Sequence, residues 1–191
     1  MNVEQIKKLV PEIGDIPLFF VNTAELAILA FSQGYGLETA QMCLNGAAAG
    51  WFHGGNGPVL GIQIDALLLQ RTTTKELRAV LLHEIGHIRL GHIPTIEETL
   101  AGVGLRGTFE GREMEADMFA LENGTDILDL CNGIKIVAQV QFAQSLIAYK
   151  GIKGEEMSVS AIRRIVRQTL VDHKERIRAL LAILRREKQG Y

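Results

Sequence analysis

Residues 73–91 read TTKELRAVLLHEIGHIRLG, and the rest of the chain is best read outward from them. Thr73 and Glu76 stand at capping-box spacing, which predicts a helix from Thr74. Leu77, Leu81, Ile85 and Ile88 recur at helical spacing and form an apolar stripe. Gly91 is a natural stop. On such a helix His83 and His87 share one face, about one turn apart. The stripe lies elsewhere, so packing does not call for the two histidines. A tetrahedral zinc ion can take one nitrogen from each, at about 2.0–2.1 Å. Glu84, beside His83, falls near that ion without having to ligate it. A general base that activates water must stand there. The bland alternatives are a satisfied structural histidine pair or a structural zinc.

A catalytic zinc needs a third protein ligand and an open fourth position. His92 is one option, but it follows His87 by five residues. The His-Glu-x-x-His-x-x-Gly-x-x-His pattern needs six, and Gly91 is likewise one position off. His92 is therefore expected to be a surface histidine at the helix end. The stretch Arg112 to Ala120, REMEADMFA, offers a better source. Glu113 and Asp117 are i, i+4 neighbours on one helical face. One can bind the ion while the other orients a histidine through its free N–H. Glu115 is expected to face solvent. The bland reading of these acids is a solvated helix face.

The other segments predict an α+β fold, with a small twisted sheet carrying an exposed edge on a mainly helical body. Residues 16–21 form a short apolar run with strand character. A helical stretch from about Thr23 to Leu44 follows, with a break near Gly34-Tyr35-Gly36. Two strand-like runs in residues 45–65 flank Gly54-Gly55-Asn56-Gly57, the pattern of a hairpin. Residues 92–111 form a long connection, then a helix spans about Arg112 to Glu122. A second begins at the Thr125-Asp126 cap and runs to about Lys150. A last helix covers about Ser158 to Arg186. The whole, residues 1–191, is expected to be a single domain.

Composition fits that picture. Apolar residues are 47% and charged residues 22% of 191, which indicates a globular chain. From Lys150 onward 11 Lys/Arg face 5 Asp/Glu, a local balance of +6 that leaves −8 for the first 149 residues. Ile162, Ile165, Val166, Leu170, Ile177, Leu180, Leu181 and Leu184 form an apolar stripe in this basic part, with most arginines outside it. A packing helix with a solvated face is preferred to a nucleic-acid contact. Cys43 and Cys131 fit no zinc spacing and are expected to be buried and reduced. The first residues lack the apolar core of a signal peptide, and no stretch of 18 uncharged apolar residues occurs. A cytoplasmic location is therefore expected. There is no repeat and no phosphate-binding glycine loop.

With these residues in view, the chain resembles the gluzincin peptidases of the HtpX and C-a-a-X prenyl protease group. Their motif is His-Glu-x-x-His followed by Glu-x-x-x-Asp, which falls on Glu113 to Asp117. Asn45-Gly46-Ala47-Ala48-Ala49-Gly50, Val59 to Ile64 and Ala66-Leu67-Leu68 are similar to the family's segments ahead of the zinc helix. His173 to Ile177 is similar to a Thr-His-Pro…Arg-Ile segment, without the proline. The resemblance covers about residues 40–125, the expected catalytic core, with a helical part over about 126–191. It implies a zincin-like fold and one zinc per chain, bound by His83, His87 and Glu113 with Asp117 behind them. Glu84 would be the base of peptide hydrolysis. An edge strand at Val59, Leu60, Gly61 and Ile62 would hold an extended protein or peptide substrate. The oxyanion stabiliser would be His173, Arg176 or Tyr149. Two other readings stand beside a general metalloendopeptidase. One is a regulatory protease similar to the ImmA/IrrE group. The other is a zinc-binding interaction module without turnover, against which the intact Glu84 argues.

Overall fold

The computed structural model describes residues 1–35, 43–55, 57–101, 108–153, 173–183 and 185. Asn2 and Gln5 form a capping box that starts α1 (Val3–Leu9), a helix not apparent from the apolar pattern. A 3-10 turn at Pro11–Ile13 leads to β1 (Leu18–Val21) and α2 (Thr23–Ser32). The hairpin forms as β2 (Ala47–Gly54) and β3 (Gly57–Asp65). Then come α3 (Ala66–Arg71), α4 (Thr74–Arg89), α5 (Ile96–Leu100), α6 (Phe109–Glu122) and α7 (Ile127–Lys153). Residues 173–183 form a helix, α8. The fold is α+β and mainly helical. Most of the expected last helix, residues 158–172, lies outside the described residues. No helix among the described residues is long and apolar enough to cross a membrane.

The three strands lie in the order β1-β3-β2, with β1 parallel and β2 antiparallel to β3. This corrects the expected edge strand. Residues 59–62 belong to β3, whose site-facing side is covered by β2, with Ala49 opposite Ile62 and Trp51 opposite Leu60. The edge strand beside the cleft is β2. Apolar character could not separate the two hairpin strands. β1, far away in sequence, decides the matter by pairing with Ile62 to Asp65. Those residues, with Gly61, form the fully buried run of a middle strand.

α4 starts at the Thr73 capping box as expected. It is more deeply enclosed than one apolar stripe requires. Leu77, Ala79, Val80, Leu81, Leu82 and Ile85 are all buried, and so are His83, Glu84 and Gly86. A helix buried on nearly all sides, its histidines and Glu84 included, is a central one. The main core gathers Ile6, Ile13, Ile62, Ile64, Leu68, Leu130 and Leu180 around it, so α1, β3, α7 and α8 all contribute. In α8, Ile177, Leu180 and Leu181 pack on this core while Arg178 is exposed, as is Arg185 beyond residue 183. That is the packing arrangement, over the described part of the helix.

Candidate metal centre

The i, i+4 spacing on α4 brings His83 Nε2 within 3.0 Å of His87 Nε2. The next element comes close because of Gly86. A Cβ there would stand 3.1 Å from Ala116 Cα and 3.2 Å from the Phe119 Cβ, so α6 approaches α4 at backbone distance. The buried face of α6 carries Glu113, Ala116, Asp117 and Ala120. Glu113 Oε1 lies 3.3 Å from His87 Nε2, and its Oε2 lies 3.5 Å from His83 Nε2. Three donors around a tetrahedral ion with bonds of about 2.0–2.2 Å stand about 3.3–3.6 Å apart. Two of the three separations fall in that range, and the third, between the imidazoles, is 0.3 Å short of it. The two imidazoles and one carboxylate can therefore close on a zinc ion with a small shift of a ring, and their chemistry suits it.

Asp117 takes the other position left open by the sequence. Its Oδ1 lies 2.9 Å from His83 Nδ1, on the side of the ring away from Glu113. Arg176 of α8 closes the cluster. Its Nη2 and Nε donate to the two oxygens of Asp117 at 2.6 and 3.2 Å, and its Nη1 lies 2.5 Å from Glu113 Oε2. Burial and the Arg176 charge push His83 down. Its bonds to Asp117 and Glu113 outweigh them and lift it to about 9. Burial raises Glu113 and Asp117, but the imidazoles and Arg176 hold both below the ordinary carboxylate range. Glu84 stands on the cleft wall, where its Oε2 accepts the Ala49 N–H of β2 at 2.7 Å.

Two expectations need correction. His92 is not a surface histidine. It is buried, with Nδ1 3.0 Å from His87 Nδ1 and Nε2 2.9 Å from Glu115 Oε2. Glu115 does face solvent, yet it holds that histidine. Tyr149 does not line the cleft. It follows Gln141 by eight residues, which at 1.5 Å per residue carries it about 12 Å farther along α7. His173 and Arg176 do line the cleft, together with Ala47 to Ala49 of β2. Leu130, Ile134 and Val137 of α7 form an apolar wall.

A family model described as peptidase family M48 matches residues 43–147. The chain belongs to peptidase family M48. No curated protein and no solved structure matches it. As a member of M48 it is a metallopeptidase, and its substrates are proteins or peptides. The M48 match ends inside α7, beyond residue 125 where the resemblance stops, and α7 supplies the apolar wall. Arg176 lies beyond the match and reaches the centre from α8. Sequence reasoning missed the Ala49 N–H and the roles of Gly86 and His92. Only His92 left a signal: a polar residue directly after a helix-stopping glycine folds back over the last turn.

Proposed function

We propose that this M48 peptidase is a zinc-dependent endopeptidase in which His83, His87 and Glu113 hold one zinc per chain. Glu84 is its general base. The observation that carries this reading is the convergence of the two Nε2 atoms and the Glu113 carboxylate at 3.0–3.5 Å, with Glu84 on the adjoining wall. Bound zinc supplies Lewis acidity that acidifies water and polarises a carbonyl.

The residues divide the remaining work. Asp117 accepts the His83 Nδ1 hydrogen, which points the Nε2 lone pair at the ion. Arg176 holds Asp117 and Glu113 and balances their charge. Glu84, anchored through Oε2 by the Ala49 N–H, takes a proton from the attacking water on its other oxygen. The water oxygen joins the acyl carbon, the C–N bond breaks, and Glu84 delivers the proton to the leaving nitrogen. His173, which lines the cleft beside Gln141, is the donor assigned to the developing oxyanion. An extended substrate pairs with the outer edge of β2, where Ala47, Ala48 and Ala49 leave room for it. The wall of Leu130, Ile134 and Val137 favours an apolar residue beside the scissile bond.

Glu84→Gln tests the base. Turnover of a diverse peptide library, mapped by mass spectrometry, should fall by about 10²–10⁴-fold. The variant should still bind one equivalent of zinc. Loss of the metal, or near-normal cleavage, would sink this role.

A further inference from the structure

We propose that His92 and Glu115 are positioning residues that fix the tautomer and ring orientation of His87. The inference rests on the zinc reading above and goes beyond it. Asp117 accounts for one ligand histidine, His83, and leaves the Nδ1 of the other to be explained.

The explanation begins at the end of α4. Gly91 has φ +69°, a conformation that favours glycine. The His92 N–H donates to the His87 carbonyl at 2.9 Å, and the Gly91 N–H to the Ile88 carbonyl at 3.3 Å. These two bonds are the Schellman ending, which folds the residue after the glycine back over the last turn. The residue it covers here is His87. A separation of five, wrong for a metal ligand, is therefore right for placing His92 Nδ1 3.0 Å from His87 Nδ1.

The hydrogens then follow from the chemistry of the groups. The Glu115 carboxylate can only accept, so His92 Nε2 carries the hydrogen across the 2.9 Å contact. In the neutral ring His92 Nδ1 is then an acceptor, and His87 Nδ1 donates to it. That leaves His87 Nε2 with a lone pair directed at His83 Nε2 and Glu113. The two ligand histidines are held alike but by different means. His83 leans directly on a fully buried carboxylate. His87 reaches a carboxylate of 66% side-chain exposure through the buried ring of His92.

The test measures zinc affinity by chelator competition and the absorption spectrum of the cobalt-substituted protein. His92→Leu removes the acceptor and should weaken zinc by about 10–100-fold, with a shifted cobalt spectrum. His92→Gln can accept at Oε1 and donate at Nε2, and should restore both. Melting of the metal-free variants reports any loss of fold. Should His92→Leu fail to fold, Glu115→Ala is the second probe. Its side chain is mostly in water, so the fold should hold while zinc weakens about two- to fivefold. Wild-type affinity and an unchanged cobalt spectrum in folded His92→Leu, or in Glu115→Ala, would overturn the proposal. So would His92→Gln binding as weakly as His92→Leu. A wild-type protein that takes up no zinc would overturn the metal-site reading itself, and this inference with it.

Discussion

Asp65 and Asp117 are both fully buried carboxylates, and they are held by opposite chemistry. Asp65 ends β3, and its partners among the described residues are all neutral donors. They are the Thr23 N–H and hydroxyl at 2.9 and 2.7 Å, the Leu67 N–H at 2.7 Å and the Gln144 amide at 3.0 and 3.1 Å. It thereby ties β3 to α2, α3 and α7. Asp117 takes an imidazole and a guanidinium, and the imidazole belongs to a candidate ligand. The first arrangement joins elements. The second joins fewer of them, but one of its partners, His83, belongs to the candidate metal centre. Burial alone therefore does not mark a functional carboxylate; the titratable character of its partners does.

Substitution should separate the two. Asp65→Ala strands several buried donors at once and should cost roughly 3–5 kcal/mol in denaturant unfolding. Zinc affinity of the folded protein should stay within about twofold of wild type, because nothing in that hub touches a ligand. A large loss of affinity at unchanged stability would break the distinction. Asp117→Ala should do the reverse. Zinc should bind about 10–100-fold more weakly by chelator competition, a larger relative effect than the variant shows on the metal-free melting temperature. Wild-type affinity there would deny Asp117 its part in orienting His83.

A third carboxylate sets the lower end of the scale. Glu12 meets Arg78 at 2.7 Å, with both side chains about a quarter exposed. Arg78 also donates to the Leu9 and Asn123 carbonyls, stapling the N-terminal segment to the end of α6. Its hydrogen bond holds the Glu12 carboxyl below the ordinary 4.5, against a smaller push from burial. A depressed pKa stabilises the fold above the unfolded value and loses that effect as pH falls through the folded one. Glu12→Gln should therefore cost roughly 0.5 kcal/mol at neutral pH. The difference from wild type should shrink as acid titration passes below the ordinary 4.5 and vanish once pH falls below the depressed folded value. A gap that persists at low pH would show that Glu12 acts by packing and not by charge.

Much of this was legible locally. The Thr73–Glu76 box, the Gly91 stop and the hairpin between residues 45 and 65 appear where the sequence places them. Each depends on neighbours within a few residues. Boundaries were less legible. α6 begins at Phe109, earlier than the expected Arg112, because Thr108 caps it by accepting the Gly111 N–H. The connection after α4 also contains the short α5. Neither the strand order nor the fold-back of His92 appears in a pattern of apolar residues.

By itself the sequence determined the histidine pair, the carboxylate between them and the acidic helix that answers them. Helical periodicity leaves side chains three and four apart no choice but to share a face. Helical spacing left open which of Glu113 and Asp117 faces the two Nε2 atoms, a choice made only by the family resemblance. Tertiary structure alone decided which strand borders the cleft. It also decided that an arginine 93 residues from His83 stands beside that histidine. Those outcomes come from packing. Gly86 lets α6 approach, β1 takes one side of β3, and the apolar face of α8 carries Arg176 into a site that no local spacing could announce.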